Sequence, residues 1–292
     1  MRADPGEYKL VSPSNLRDAA ALLAGEPCRW TPLAGGTDLM VLYASGKLAA
    51  RNLMNIWDLP ELRRIEVTPD EIRIGAVCTY SNLQKHEIVK SEFAMLATAA
   101  SWTGGIANQN RGTLGGNIAN ASPAADSLPA LLAYDATLEL YSVRGVRRIA
   151  YSEFHLAYKK HVLATDELIQ TICLPRNTKG TFSYCRKVGT RNAQAISKVC
   201  IAGLARIANG VIEEVRIGMG SVGPVPLCLR KTEQQLRGRR AGPDLIRSAK
   251  QTVAEQIQTI DDIRSTAEYR SAVAANLVAE FVQKLCVRAE RQ

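Results

Sequence analysis

Two glycine-rich segments carry the residue types with most chemistry to offer. The first, Pro32-Leu33-Ala34-Gly35-Gly36-Thr37-Asp38-Leu39, sets two glycines where a short β-compatible run gives way to a helical pattern. Glycine lets backbone N–H groups approach an anion, and a helix N-terminus adds favourable partial charge, so the segment suits a phosphate. It suits a plain turn capped by Thr37 or Asp38 equally well. The second segment, residues 104–117, packs five glycines and three asparagines into fourteen positions, a density that favours tight bends over helix or strand. Its stretch Asn110-Arg111-Gly112-Thr113-Leu114-Gly115-Gly116-Asn117 offers further N–H groups, the Thr113 hydroxyl and the Asn117 amide to an anion. Two such loops can cradle a pyrophosphate together.

Charged positions downstream extend the pattern. Asp126, in Asn120-Ala121-Ser122-Pro123-Ala124-Ala125-Asp126, either bonds a ribose hydroxyl or sits in a first helical turn favoured by the dipole. Lys187 and Arg191, in Arg186-Lys187-Val188-Gly189-Thr190-Arg191, read either as a solvated strand edge or as cations near a phosphate or an electron-rich ring. The G-x-G-x-x-G at Gly218, Gly220 and Gly223 is not read as a dinucleotide loop. Pro224 and Pro226 follow it at once, where such a loop must open a helix. Seven scattered cysteines with no C-x-x-C pair predict reduced thiols and no iron–sulfur cluster or structural zinc on this chain. Only His86, His155 and His161 are available as imidazoles, with none at metal-binding spacing.

The elements that must position these residues follow from the hydrophobic pattern. Residues 14–24 read as a helix capped by Ser12 or Ser14 and ended by Gly25; residues 28–33 as a strand; residues 38–45 as a helix closed by Gly46; residues 52–55 as a strand. Residues 65–67 and 72–74 read as a hairpin, and residues 81–89, opened by Ser81, and 92–101 as helices. After the glycine segment, 122–133 is helical in pattern, with strands at 137–141, 146–149 and 169–174. Residues 182–188, 195–207 and 211–218 read as an antiparallel sheet with a hairpin turn at Asn209-Gly210. The remainder is helical, including a last helix from a capping box of Ser265 and Glu268 to about residue 287. This predicts two domains, residues 1–176 in lobes of about 1–65 and 66–176, then residues 177–292.

The 292 residues are 46% hydrophobic and 22% charged, which describes a globular chain and excludes collagen-like, coiled-coil and disordered classes. No apolar run is long enough to span a bilayer, and the opening MRADPGEYKL lacks the apolar stretch of a signal peptide, so the expected compartment is the cytoplasm. Lys plus Arg exceed Asp plus Glu by 37 − 28 = 9, consistent with nucleic acid, an acidic partner protein or a phosphate-bearing cofactor. Aromatics at 5%, with no stripe of them among the basic residues, argue against nucleic acid.

With these motifs in view, the chain resembles the FAD-binding medium subunit of the molybdenum hydroxylases, the xanthine dehydrogenase and carbon monoxide dehydrogenase family, over nearly its whole length. The family's A-G-G-T-D loop is matched by residues 34–38, its R-N-x-G-T-x-G-G-N loop by residues 110–117, and its A-S-P-x-x-D-x-x-P stretch by residues 121–129. Its E-L-L-x-x-I-x-L-P strand is matched by residues 167–175. The resemblance implies an α+β fold: a two-lobed FAD-binding domain of the vanillyl-alcohol-oxidase or PCMH type, then a small C-terminal domain with a three-stranded antiparallel sheet and helices. It implies that Ala34, Gly35, Gly36, Thr37, Asp38, Asn110, Thr113, Gly115, Gly116 and Asn117 hold the FAD pyrophosphate and adjoining groups. It also implies that Asp126 binds the cofactor, that Ile169 lies against the isoalloxazine, and that Lys187 lies near the flavin ring. No general acid or base is implied. Two positions depart from the family pattern, Gln109 where an arginine is usual and Ala195 where an acidic residue is usual.

The activity implied is an oxidoreductase relay. Substrate is hydroxylated at a molybdenum cofactor on a large subunit, electrons cross two [2Fe–2S] clusters on a small iron–sulfur subunit, and FAD on this chain passes them to NAD or another acceptor. The purine-oxidising, xanthine dehydrogenase type is the member expected. The rival is a self-contained FAD-dependent oxidoreductase of the same fold; it would need a base in its second domain, yet all three histidines precede residue 177.

Overall fold

The structure is a computed structural model that describes residues 4–191 and 194–290; residues 1–3 of the opening stretch lie outside it. The first lobe runs β1 (Lys9–Val11), α1 (Leu16–Gly25), β2 (Thr31–Leu33), α2 (Leu39–Ala44) and β3 (Asn52–Asn55), with the strands parallel in the order β1-β3-β2. α1 buries Leu16, Ala19, Ala20 and Leu23, the stripe of a 3.6-residue repeat, against Trp30, Met54 and Leu59. By contrast α2, Leu-Met-Val-Leu-Tyr-Ala, is apolar and buries none of its residues.

The second lobe opens with the hairpin β4 (Ile65–Val67) and β5 (Glu71–Gly75). Six short helices follow: α3 (Tyr80–Lys85), α4 (Glu87–Glu92), α5 (Ala94–Trp102), α6 (Ile106–Arg111), α7 (Leu114–Ala119) and α8 (Leu128–Ala133). Then come β6 (Thr137–Ser142), β7 (Gly145–Ala150), the small hairpin β8 (His155–Ala157) and β9 (Lys160–His161), and β10 (Leu168–Pro175). Its main sheet is antiparallel in the order β4-β5-β10-β6-β7. β10 is central and almost wholly buried, and its sequence is accordingly mostly apolar, broken only by Gln170 and Thr171.

The remaining residues form β11 (Phe182–Val188), β12 (Val199–Ala208), β13 (Val211–Gly220), β14 (Leu227–Cys228), α9 (Arg230–Leu236), α10 (Pro243–Ala254) and α11 (Ala267–Ala289), the strands antiparallel in chain order. To the three long strands expected, the fold adds the two-residue edge β14. Asn209 and Gly210 turn β12 into β13 with φ of 51° and 75°, the paired positive values that a tight hairpin needs. The two faces of this sheet bury different partners. Val199, Ile201, Ala205 and Ile207 pack with Phe281 and Leu277 of α11, while Ala202 and Leu204 join the core of the second lobe. Gly218 explains how the sheet admits α8 so closely: a Cβ there would lie 2.3 Å from the Pro129 carbonyl oxygen. The G-x-G-x-x-G is thus the end of β13 and a packing surface, not the opening of a helix.

Several boundaries differ from the sequence expectations, each for a local reason. α1 is capped by Asn15, whose side chain accepts from the Asp18 N–H, in place of Ser12 or Ser14. The helix expected at 81–89 starts one residue earlier under Thr79, which forms a capping box with Asn82, and breaks at the extended His86. The last helix is capped by Thr266, not Ser265. Residues 104–117 hold two six-residue helices, α6 and α7, because their glycines fall mostly at ends and turns. Helix α8 begins at Leu128, so Asp126 precedes it and is not in a first helical turn. β12 begins at Val199, leaving residues 194–198 outside any strand, with Gln194 at φ 51°.

Candidate flavin site

The two glycine segments meet. A Cβ on Gly35 would fall 1.6 Å from the Arg111 carbonyl oxygen, so only glycine lets the first loop press against the second. Arg111 closes the junction from above: its Nε donates to the Gly35 carbonyl at 3.4 Å and its guanidinium lies 3.9 Å from the Trp57 ring centroid. Gly36, at φ 77°, then swings the chain into α2. Asp38 occupies the cap position without a side-chain cap bond. The N–H groups of Gly36, Thr37 and Asp38 donate to no acceptor among the described residues. Unspent donors at a helix start beside a positive-φ glycine form an anion nest.

The second loop spends its donors differently. The N–H groups of Leu114 and Gly115 bond the carbonyls of Cys78 and Ala76, at 3.0 and 2.8 Å. That of Gly116 bonds the Thr113 hydroxyl, which therefore caps α7, and that of Asn117 bonds the Thr113 carbonyl. A Cβ on Gly115 would meet Ala76 at 2.5 Å. These groups fix the loop in place. The Asn110 and Asn117 carbonyl oxygens accept from Ser81 and Ser127, leaving the amide N–H groups of both side chains free to face a ligand. Gln109, the departure from the family arginine, ties α6 to the loop before it through bonds to the Ser101 and Gly104 carbonyls.

A cavity of about 460 Å³ opens beside α6 and α7 where the C-terminal residues cross the second lobe. Gly104, Asn117 and Asp126 line it from one side, Ala195, Ile196 and Arg264 from the other. In its wall Lys187 Nζ lies 2.6 Å from Asp126 Oδ2 and donates to the Trp102 carbonyl, while the Ser197 hydroxyl donates to Asp126 Oδ1. Burial raises the Asp126 pKa, and Lys187 and Ser197 oppose the rise. Ile169 sits deeper, 6% exposed on β10 at a bulge in its pairing with β6, within the apolar core. The geometry therefore joins Ala34 to Asp38 with Arg111, and Asn117 with Asp126 and Lys187. It keeps Ile169 out of the cavity lining.

Sequence reading missed Arg111 as the tie between loops and Ser197 as the second partner of Asp126. The run Arg186 to Arg191 signalled only cations, and nothing in the local pattern of Ser197 marks a fold partner 71 residues away.

A match to the family described as "FAD binding domain in molybdopterin dehydrogenase" covers residues 6–177, and one to the "CO dehydrogenase flavoprotein C-terminal domain" covers residues 184–285. The chain belongs to the FAD-binding subunits of the molybdopterin dehydrogenases. It is 30% identical to the xanthine dehydrogenase FAD-binding subunit of Escherichia coli O157:H7, over 93% of each chain. It is 27% identical to the caffeine dehydrogenase subunit beta of a Pseudomonas species, over 97% of this chain and 96% of the relative. Its fold superposes on a chain of the carbon monoxide dehydrogenase of Hydrogenophaga pseudoflava with a TM-score of 0.91 at 25% identity, covering 96% of both. The family's cofactor is FAD, and the residues present fit it: an open anion nest, a glycine contact that no Cβ permits, and a cavity of ligand size. Among the described residues no helix is long and apolar enough to cross a membrane.

Proposed function

We propose that this chain is the electron-transfer subunit of a cytoplasmic molybdenum hydroxylase complex of the xanthine dehydrogenase type. It receives electrons from the [2Fe–2S] clusters of a small subunit, which draws them from a molybdenum-cofactor large subunit, and passes them to NAD or another acceptor. The observation that carries the reading is the junction of Gly35 with Arg111, next to which three loop N–H groups stand unspent, and a cavity lined by residues of both domains supports it. The names of the relatives, among them xanthine and caffeine dehydrogenases, support a purine-type substrate on the partner.

In this reading the N–H groups of Gly36, Thr37 and Asp38 bind the pyrophosphate, with Ala34 and Gly35 shaping their turn. Thr113, Gly115 and Gly116 hold the second loop rigid, and the amides of Asn110 and Asn117 point to the cofactor. Bound FAD supplies one- and two-electron redox chemistry that no side chain provides. Asp126 orients Lys187, whose ammonium places fixed positive charge at the cavity wall, and Ile169 supplies apolar support from β10. No side chain need act as general acid or base.

Titrating the chain with FAD, followed by flavin fluorescence, tests the cofactor site; Gly35→Ala is expected to weaken binding at least tenfold. Assembling the chain with its small and large subunits and adding xanthine and NAD tests the relay. NADH formation that requires all three chains supports it. Flavin bleaching by a substrate on the isolated chain would overturn it.

A further inference from the structure

On the strand that also carries Lys187, a groove of about 970 Å³ runs between β11 and α11, and it shares no lining residue with the flavin cavity. Five consecutive residues of β11, from Phe182 to Arg186, line one side. Consecutive residues point alternately up and down, so a wall made of all of them is the strand's backbone edge. β11 is the terminal strand of its sheet, paired only with β12, and that pairing is regular from Phe182 to Val188 with no bulge or proline to blunt it.

The other wall is a single stripe of α11. Glu280, Gln283, Lys284, Val287 and Arg288 recur at helical spacing and all line the groove. Lys284 lies 6.0 Å from the Tyr184 ring centroid and Arg288 lies 5.7 Å from that of Phe182, so both cations rest over an aromatic floor. Arg288 has no carboxylate partner among the described residues, and the one acid in the groove, Glu280, is shared between Arg186 and, at 3.9 Å, Lys284. Arg186, Lys284 and Arg288 thus face a single carboxylate, and the excess of positive charge suits an acidic occupant from outside.

We propose that this groove is a docking site for an extended acidic segment of a partner protein, which adds as a strand to the free edge of β11 and sets its carboxylates against Lys284 and Arg288. The backbone supplies the hydrogen bonds and the two cations supply the sign of the partner. The site lies outside the FAD site and does not depend on it.

The test uses the full chain and a fluorescein-labelled peptide of alternating glutamate and valine, as long as the 7-residue β11. Fluorescence anisotropy is expected to report saturable binding that weakens as salt rises, and Lys284→Glu with Arg288→Glu to weaken it at least tenfold while FAD titration is unchanged. Hydrogen exchange on the same sample is expected to slow at the amides of β11. Absence of binding, equal binding by the double variant, or binding that leaves β11 exchange unaltered would overturn the proposal. So would a chain that self-associates through this edge in sedimentation and thereby excludes the peptide.

Discussion

Asp126 and Lys187 form the most consequential pair in the molecule, with side chains only 8% and 10% exposed. Removing one partner of a buried pair strands the other charge, at a cost of about 3–5 kcal/mol, whereas removing both costs less. Lys187→Met is therefore expected to lower the urea midpoint strongly, and Asp126→Asn in the same chain to restore part of it. The pH dependence has a definite sign. Burial sets the folded pKa of Asp126 above its ordinary 3.8, so the folded state holds the proton more readily and stability declines as pH rises from there. Without Lys187 the folded pKa climbs further. The loss in Lys187→Met should thus be small below pH 3.8 and grow on raising the pH, which urea titrations at several pH values would show. The sequence displayed both residues but not their pairing, which spans 61 positions.

The hairpin β8–β9 carries a second titrating device. Across it His155 faces His161, Phe154 stacks on His161 at 5.3 Å, and the Tyr151 hydroxyl contacts His155 Nε2 at 3.1 Å. Burial, with a smaller contribution from His161, pushes the His155 pKa down to about 4. A depressed imidazole favours the folded state while neutral, so its contribution is full above pH 6.5 and is lost as the pH falls towards about 4. Stability is expected to fall over that range, and His155→Gln should flatten that part of the stability curve measured by urea denaturation. The contact of α8 with β13 offers a simpler check. Gly218→Ala would push a methyl into the Pro129 carbonyl and is expected to cost about 1–3 kcal/mol in calorimetry, with FAD affinity retained. Most helices and strands, and the antiparallel hairpins, were readable from periodicity, whereas the sheet orders β1-β3-β2 and β4-β5-β10-β6-β7 were not. Caps were not, because Asn15 and Thr266 stand beside Ser14 and Ser265, and Thr79 two residues before Ser81, and only backbone geometry chooses between them.

At the scale of the whole molecule the two domains share a core. Ala202 and Leu204 of β12 belong to the same apolar cluster as Leu128, Leu131 and Ile172. Thermal unfolding is accordingly expected to show one transition, and residues 1–177 expressed alone to aggregate, because they would expose the wholly buried α8. FAD at a hundredfold excess over its Kd should raise stability by about 2.7 kcal/mol, provided it binds only the folded chain. The amino-acid sequence by itself determined the glycine loops, the alternating strands and the family, since each rests on residue types at short spacing. Tertiary structure alone decided which loop donors remain open, that Gly35 must touch Arg111, and that Asp126 pairs with Lys187. Those facts depend on which distant backbone and side-chain atoms come within bonding distance, and no local pattern encodes that distance.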